Sequence, residues 1–379
     1  MNGKETMGLR VENIVMSFER NVVLDGLTLD VPSMSFTTIL APTGSGKTTL
    51  LRIMAGIDKP TSGRVYYNDR DVTDVHIQER KISMVYQQFI NYPSMTVYEN
   101  IASPLRVSKE KLSQKEIDER VQNIAKLLKI THVLGHLPEE LSGGEKQRTA
   151  IARALIKGSE FIFLDEPLAN LDYKLREELR GELKTVFKGS TIVYATPEPI
   201  DALSMSSHVA YLSKGKVIQF GKVHDVYTKP RLREVGQYFN DPPMNMFDCS
   251  LSTEGGSASV VVTEELKLDF SKYKGVLRER EYVMGIRPQD LSVVQNRVGM
   301  ISFAASVEFT EIVGSSTTLH LIHRGNKMGI VIHQPEKQHK RGQEIRIFLD
   351  PGRVFLYGKR DGRLLIAQGQ VVADAVPAS

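Results

Sequence analysis

The chain has 379 residues, 41% of them hydrophobic and 25% charged, and a net charge of +4. It is long for one domain and comfortable for two, with the composition of an ordinary globular protein. The thinly spread basic residues argue against nucleic acid as a partner, no apolar run is long enough to span a bilayer, and a single cysteine, Cys249, excludes an intramolecular disulfide framework.

The polar first residues lack the apolar stretch of a secretory signal, so the expected setting is cytosolic and reducing. From there short β-rich runs alternate with helical patterns, which predicts an α/β domain. The strand-like run 36–40 leads into Ala41-Pro42-Thr43-Gly44-Ser45-Gly46-Lys47-Thr48-Thr49 and then a helical run, 50–57. Strand, glycine-rich loop and helix in that order are the context of a phosphate-binding P-loop. Loop amides and the helix N-terminus converge on one concavity, and Gly44 and Gly46 let the backbone approach phosphate oxygens. Lys47 then brings a cation to the β- and γ-phosphates, and the Thr48 hydroxyl is a Mg²⁺ ligand. Ala41 stands where the pattern has its first glycine.

Further along, Ser113 and Glu116 form a capping box, and Ile117, Val121, Ile124 and Leu128 recur at helical spacing. That helix is expected in a helical subdomain inserted before the next strand. Leu141-Ser142-Gly143-Gly144-Glu145 precedes a helical run, 146–156, and offers a second anion site: a hydroxyl and two glycine amides at a helix N-terminus. The apolar run 161–164 then ends in Asp165 and Glu166, two carboxylates delivered to a sheet edge. Asp165 is suited to holding Mg²⁺ through water, and Glu166 to polarising an attacking water. Another strand-like run, 191–195, is followed by Thr196-Pro197-Glu198-Pro199.

Two prolines at Asn240-Asp241-Pro242-Pro243 interrupt regular structure. Beyond them short alternating strands are expected at 259–263, 302–309, 317–322, 329–333 and 344–349, a rhythm that suits a small β-barrel. Residues 371–379 read as a loose tail.

Together the P-loop, the Leu141–Glu145 loop and the Asp165-Glu166 strand resemble those of ABC transporter ATP-binding subunits, in which the second is the signature loop. Gly285-Ile286-Arg287-Pro288-Gln289-Asp290, with Val307-Glu308-Phe309, Gly314-Ser315-Ser316-Thr317, Leu349-Asp350-Pro351 and Val354-Phe355-Leu356, resembles the OB-like (TOBE) domain of carbohydrate-importer ATPases. The resemblance implies a P-loop α/β ABC ATPase domain, with a RecA-like core and helical subdomain, over 1–240. An all-β OB-like TOBE domain over 241–379 is implied after it.

Within that family Glu166, Gln87 and Lys47 are expected to carry catalysis, and Thr48, Gln87 and Asp165 to hold Mg²⁺. ATP is expected against Phe18, Thr43, Gly44, Ser45, Gly46, Lys47, Thr48 and Thr49. Ser142, Gly143, Gly144, Glu145 and the D-loop residue Asp172, within Ala169-Asn170-Leu171-Asp172, are expected to close on nucleotide across a head-to-tail dimer. The segment Tyr92-Pro93-Ser94-Met95-Thr96-Val97 resembles the surface that receives a permease. Implied partners are a second ATPase subunit, two transmembrane permeases and an external solute-binding protein, with the chain peripheral on the cytoplasmic face of the cell membrane. One position departs: the family has a histidine where Pro197 stands, and His208 comes too late to replace it. This predicts slow hydrolysis at that site and favours pairing with an unlike ATPase chain.

Overall fold

The computed structural model describes residues 7–108, 111–169, 171–186, 189–254, 256–313, 316–333 and 339–372. The contacts divide the chain into two compact units, one ending at Val223 and the other starting at His224. Asn170, Gly314 and Ser315, and the tail from residue 373, lie outside the described residues.

The first unit opens on β1 (Met7–Phe18) and β2 (Asn21–Pro32), followed by β3 (Phe36–Leu40), α1 (Lys47–Ala55), β4 (Ser62–Tyr67), β5 (Arg70–Asp71) and β6 (Ile82–Val85). Three helices follow: α2 (Val97–Arg106), α3 (Gln114–Leu127) and α4 (Gly143–Ile156). The unit then runs through β7 (Phe161–Asp165), α5 (Tyr173–Val186), β8 (Thr191–Thr196), α6 (Pro199–Met205), β9 (His208–Ser213) and β10 (Lys216–Lys222).

Its centre is a six-stranded sheet in the order β10-β9-β3-β8-β7-β6. The neighbours β9-β3, β3-β8, β8-β7 and β7-β6 all pair in parallel. Both faces are covered, so β3, β7 and β8 are buried at every position and read as continuous apolar runs. Period-2 alternation still sorts them. Ile162, Leu164, Ile192 and Tyr194 pack with the helices α2 to α5, whereas Phe161, Phe163, Val193 and Ala195 pack with α1 and the β1–β2 layer. Each such large side chain contributes about 1.5–3 kcal/mol by leaving water.

The helical subdomain is built from local signals. Capping boxes open α2 at Thr96/Glu99, α3 at Ser113/Glu116 and α4 at Ser142/Glu145, each worth about 1 kcal/mol. Pro104 sits inside α2 and cannot donate to the carbonyl of Asn100; the Ser103 hydroxyl bonds that carbonyl instead at 2.8 Å. α4 starts at Gly143 rather than at Lys146, because the two glycines form its first turn.

The edge sheet β2-β1-β4-β5 is antiparallel. In β1 the buried positions change parity, from Leu9 and Val11 to Ile14 and Met16, at the left-handed Asn13 with φ 50°. That bulge hides the strand from a simple alternation test.

The second unit is all-β apart from short helices, as expected of an OB-like domain, with a seven-stranded and a five-stranded sheet. Phe247, Tyr282, Phe303, Leu319, Ile347 and Leu356 are among its core residues. The expected strands overlap Ser257–Val261, Ile301–Val313, Ser316–His323, Asn326–Ile332 and Glu344–Leu349, the first expectation overrunning its strand by two residues and the fourth by one. Val371 pairs with Ile366 rather than belonging to a loose tail. The division also falls upstream of the break expected at residue 240. Residues 224–240 belong to the β-rich unit because Arg233 N–H donates to Gly362 O at 2.9 Å and Leu364 N–H to Arg231 O at 2.9 Å. The Tyr227 ring also covers the buried Arg287 guanidinium at 3.7 Å.

Candidate active site

The C-terminal ends of β3, β8, β7 and β6 share one edge of the parallel sheet, where open α/β sheets bind ligands. The P-loop leaves β3 there. Gly46 caps α1 with φ 93° and no side-chain hydrogen bond, so the leading amides of the helix remain for an anion. A Cβ at Gly46 would lie 3.1 Å from Leu24 Cδ2 and Val23 Cγ1. Gly44 is also left-handed, φ 82°, but with open space around it. Ala41 is buried and is not among the left-handed residues, so its methyl group is tolerated where the pattern has glycine. Thr43 and Thr48 are exposed; Ser45 and Thr49 are half-buried.

Lys47 turns back under the loop. Its Nζ donates to Ala41 O at 2.9 Å and Pro42 O at 3.0 Å and lies 3.5 Å from Glu166 Oε1. Burial pulls its ammonium below the ordinary lysine value, opposed by Glu166 and Asp165. Glu166 is left-handed, φ 45°, and its amide donates to Ala195 O at 2.9 Å. The bond holds the carboxylate at the strand end, where Gln87 Nε2 donates to Oε2 at 3.2 Å. Lys47 at the start of α1, Glu166 just after β7 and Gln87 just after β6 thus form one group joined by an ion pair and a hydrogen bond.

Asp165 tests the site for a metal. It is 1% exposed, and its Oδ1 is buried without a hydrogen-bond partner. Burial pushes its carboxyl upward, the Thr48 hydrogen bond pulls it down, and Glu166 pushes it up. An orphaned carboxylate oxygen beside a threonine hydroxyl, all hard oxygen donors, fits Mg²⁺.

The signature loop forms its own cluster. Ser142 N–H and Oγ donate to Glu145 Oε2 at 2.9 and 2.6 Å, and Glu145 Oε1 meets His132 Nε2 at 3.0 Å. These bonds hold the Glu145 carboxyl below the usual range, the Ser142 hydrogen bond foremost. Gly143 has open space where a Cβ would stand. Asp172 caps α5, accepting from Leu175 N–H at 3.0 Å, and Phe18, at the end of β1, is 51% exposed.

Pro197 directly follows the last residue of β8. The neighbouring Thr196 hydroxyl donates to Asp201 Oδ2 at 2.9 Å and accepts from Glu198 N–H at 3.1 Å, so its one proton is committed. Glu198 is exposed and acidic. Neither supplies the donor that an imidazole would. His208 begins β9, buried, with its ring 5.8 Å from that of Phe220.

Two groupings escaped sequence reasoning. Asp201 gathers Arg180 Nε at 2.7 Å, Tyr194 OH at 2.9 Å and Thr196, all buried, beneath the Pro197 turn. Asn91 Nδ2 donates to Lys146 O at 2.8 Å and Arg153 Nη2 to Ile90 O at 2.6 Å, tying the segment after Gln87 to α4. Beside that tie a groove of about 510 Å³ is lined by Tyr92, Met95, Pro104, Val107, Arg153 and Lys157 among others. No helix among the described residues is long and apolar enough to cross a membrane.

Comparison with known proteins agrees with this geometry. The ABC transporter family model matches residues 24–169. The trehalose/maltose import ATP-binding protein of Thermococcus litoralis is 34% identical, the match covering 94% of this chain and 99% of that protein. The glucose import ATP-binding protein of Saccharolobus solfataricus is 38% identical over 75% of this chain and 79% of its own. The sn-glycerol-3-phosphate import ATP-binding protein of Salmonella typhimurium is 33% identical over 83% and 87%. A dimeric ATP-binding cassette solved in a post-hydrolysis state with ADP and Pi superposes with a TM-score of 0.53 at 30% identity, covering 57% of this chain and 98% of that one. The chain belongs to the ATP-binding subunits of ABC transporters.

Proposed function

We propose that this chain binds and hydrolyses ATP with Mg²⁺ at a head-to-tail dimer interface and so powers import of a carbohydrate-class solute: a sugar, polyol, glycerol or glycerol phosphate. The observation that carries the reading is the Lys47–Glu166–Gln87 group beside the orphaned Asp165 oxygen. The P-loop amides and Lys47 bind the phosphates, Thr48 and Asp165 hold Mg²⁺ with Gln87 beside them, and Glu166 takes the proton of the attacking water. Bound Mg²⁺ supplies charge neutralisation at the phosphate oxygens. Phe18 offers its exposed ring to adenine, and Ser142, Gly143, Gly144, Glu145 and Asp172 face the nucleotide held by the second subunit.

Two transmembrane permeases are the partners proposed for the Tyr92–Arg153 groove, with an external solute-binding protein acting through them and the chain peripheral on the cytoplasmic face. The β-rich unit is assigned as a TOBE domain. The solute class rests on the relatives' names, which span trehalose/maltose, glucose and sn-glycerol-3-phosphate import. The test is ATP-driven uptake of labelled sugars and glycerol phosphate by vesicles carrying the chain with its permeases. Uptake abolished by Glu166→Gln supports the reading; no ATP-dependent uptake of any member of the panel overturns it.

A second reading is favoured by one observation: Pro197 takes the histidine position while Thr196 is committed to Asp201. On this reading the site hydrolyses slowly and the chain pairs with a different ATPase chain that supplies most of the turnover.

A further inference from the structure

Pro197 opens a question that the geometry answers from a neighbouring helix. Beneath the ends of β7 and β8 lies a cavity of about 70 Å³, lined by Glu166, Ala169, Arg176, Thr196, Pro197 and Glu198 among others. Glu166 belongs both to this wall and, through Lys47 at 3.5 Å, to the P-loop. The cavity is therefore linked to the P-loop through Glu166, the carboxylate that a terminal phosphate would face on the proposed reading.

The polar groups on the wall are mostly spent. The Tyr194 and Thr196 hydroxyls both donate to Asp201, whose other oxygen accepts from Arg180. Glu198 carries the wrong charge for a phosphate. Arg176 differs. It stands on the first turn of α5 and donates from Nη2 to the carbonyls of Ala169 at 3.3 Å and Leu171 at 3.4 Å. Both bonds are at the long end of the normal range, so they are weak ones to exchange. Its Nε is buried with no hydrogen-bond partner, and a buried donor without an acceptor is costly. A guanidinium with an unspent donor, on a wall shared with the catalytic carboxylate, is the chemistry that recognises a phosphate oxygen.

We propose that Arg176 recognises the terminal phosphate of ATP, supplying from α5 the donor that the chain lacks at position 197. The inference rests on the reading that ATP is hydrolysed beside Glu166. It makes Arg176 a determinant of triphosphate over diphosphate, and it links the presence of that phosphate to the Ala169 and Leu171 carbonyls that the same side chain holds.

The test is equilibrium binding of ATP and of ADP, each with Mg²⁺, to the full chain and to Arg176→Ala, Arg176→Gln and Pro197→His/Arg176→Ala. Gln keeps N–H donors for the two carbonyls but has no charge, so it separates phosphate recognition from support of the loop. Arg176→Ala and Arg176→Gln should each weaken ATP about tenfold, the loss of one charge-assisted contact, while ADP affinity stays within about twofold. Histidine at position 197 should restore most of the ATP affinity in the Arg176→Ala background. If Arg176→Gln leaves the ATP-to-ADP ratio unchanged, or if both nucleotides weaken equally, the assignment is overturned while the ATPase reading stands. A parent chain that binds neither nucleotide overturns both.

Discussion

Lys47 and Glu166 face each other at 3.5 Å, their side chains only 3% and 10% exposed, in a pair that joins the P-loop to the end of β7. The lysine is partly neutralised in advance by the carboxylate that is to act as base, and burial keeps both charges out of bulk water. Glu166→Gln keeps the shape and removes the charge. It should leave ATP affinity equal or tighter, since Lys47 no longer has a competing anion, and should lower turnover by about 10²–10⁴-fold. Single-turnover hydrolysis set beside equilibrium ATP binding checks both halves.

The two P-loop glycines make a graded prediction. Gly44→Ala meets only the left-handed backbone penalty, about 1–2 kcal/mol. Gly46→Ala adds to that penalty contacts of 3.1 Å with Leu24 and Val23 and should cost about 1–3 kcal/mol more. Urea unfolding of both variants decides it; equal losses would mean that β2 yields to the new methyl group.

Asp201 holds three partners beneath the Pro197 turn, among them the Arg180 guanidinium, with both side chains under 10% exposed. Asp201→Ala leaves Arg180 as an unpaired buried charge and should destabilise the chain by about 3–5 kcal/mol. Asp201→Asn, which still accepts from Tyr194, should cost less. Chemical denaturation gives the order, and near-neutral behaviour of the alanine variant would mean that Arg180 finds water.

The helical subdomain should loosen in acid before the sheet. The carboxyls of Glu99, Glu116 and Glu145 are all held below their ordinary value by hydrogen bonds from their helix caps, at Thr96, Ser113 and Ser142 respectively. A folded value below the unfolded one gives stability that is complete above the unfolded value, about 4.3, and is lost as pH falls through the folded one. Amide exchange at α2, α3 and α4 should therefore speed up below about pH 4, while β3, β7 and β8 stay protected. Uniform acceleration would contradict the assignment.

Much of this was legible in the sequence where chemistry is local. The buried runs of β3 and β7, the P-loop between strand and helix, and the capping box at Ser113 each declare themselves within a few residues. Elements whose logic is tertiary did not. β1 changes parity at Asn13, so its two buried pairs do not read as one strand. Asp201, Arg180 and Tyr194 come from α6, α5 and β8 and meet only when the sheet forms. Residues 224–240 precede the proline break yet bond to strands far later in the chain, which no local signal reveals. Pro197 was legible as a departure; that Thr196 is already spent on Asp201 required the structure.

The steady-state Mg-ATPase rate of the purified chain, with Pro197→His beside it and Glu166→Gln as the inactive reference, tests most directly whether position 197 limits turnover. We expect a parent rate well above the reference yet about tenfold or more below that of the histidine variant, a difference equivalent to about 1.4 kcal/mol of barrier. A parent that turns over well and gains nothing from histidine would contradict the slow-site account and leave this chain a competent motor on its own.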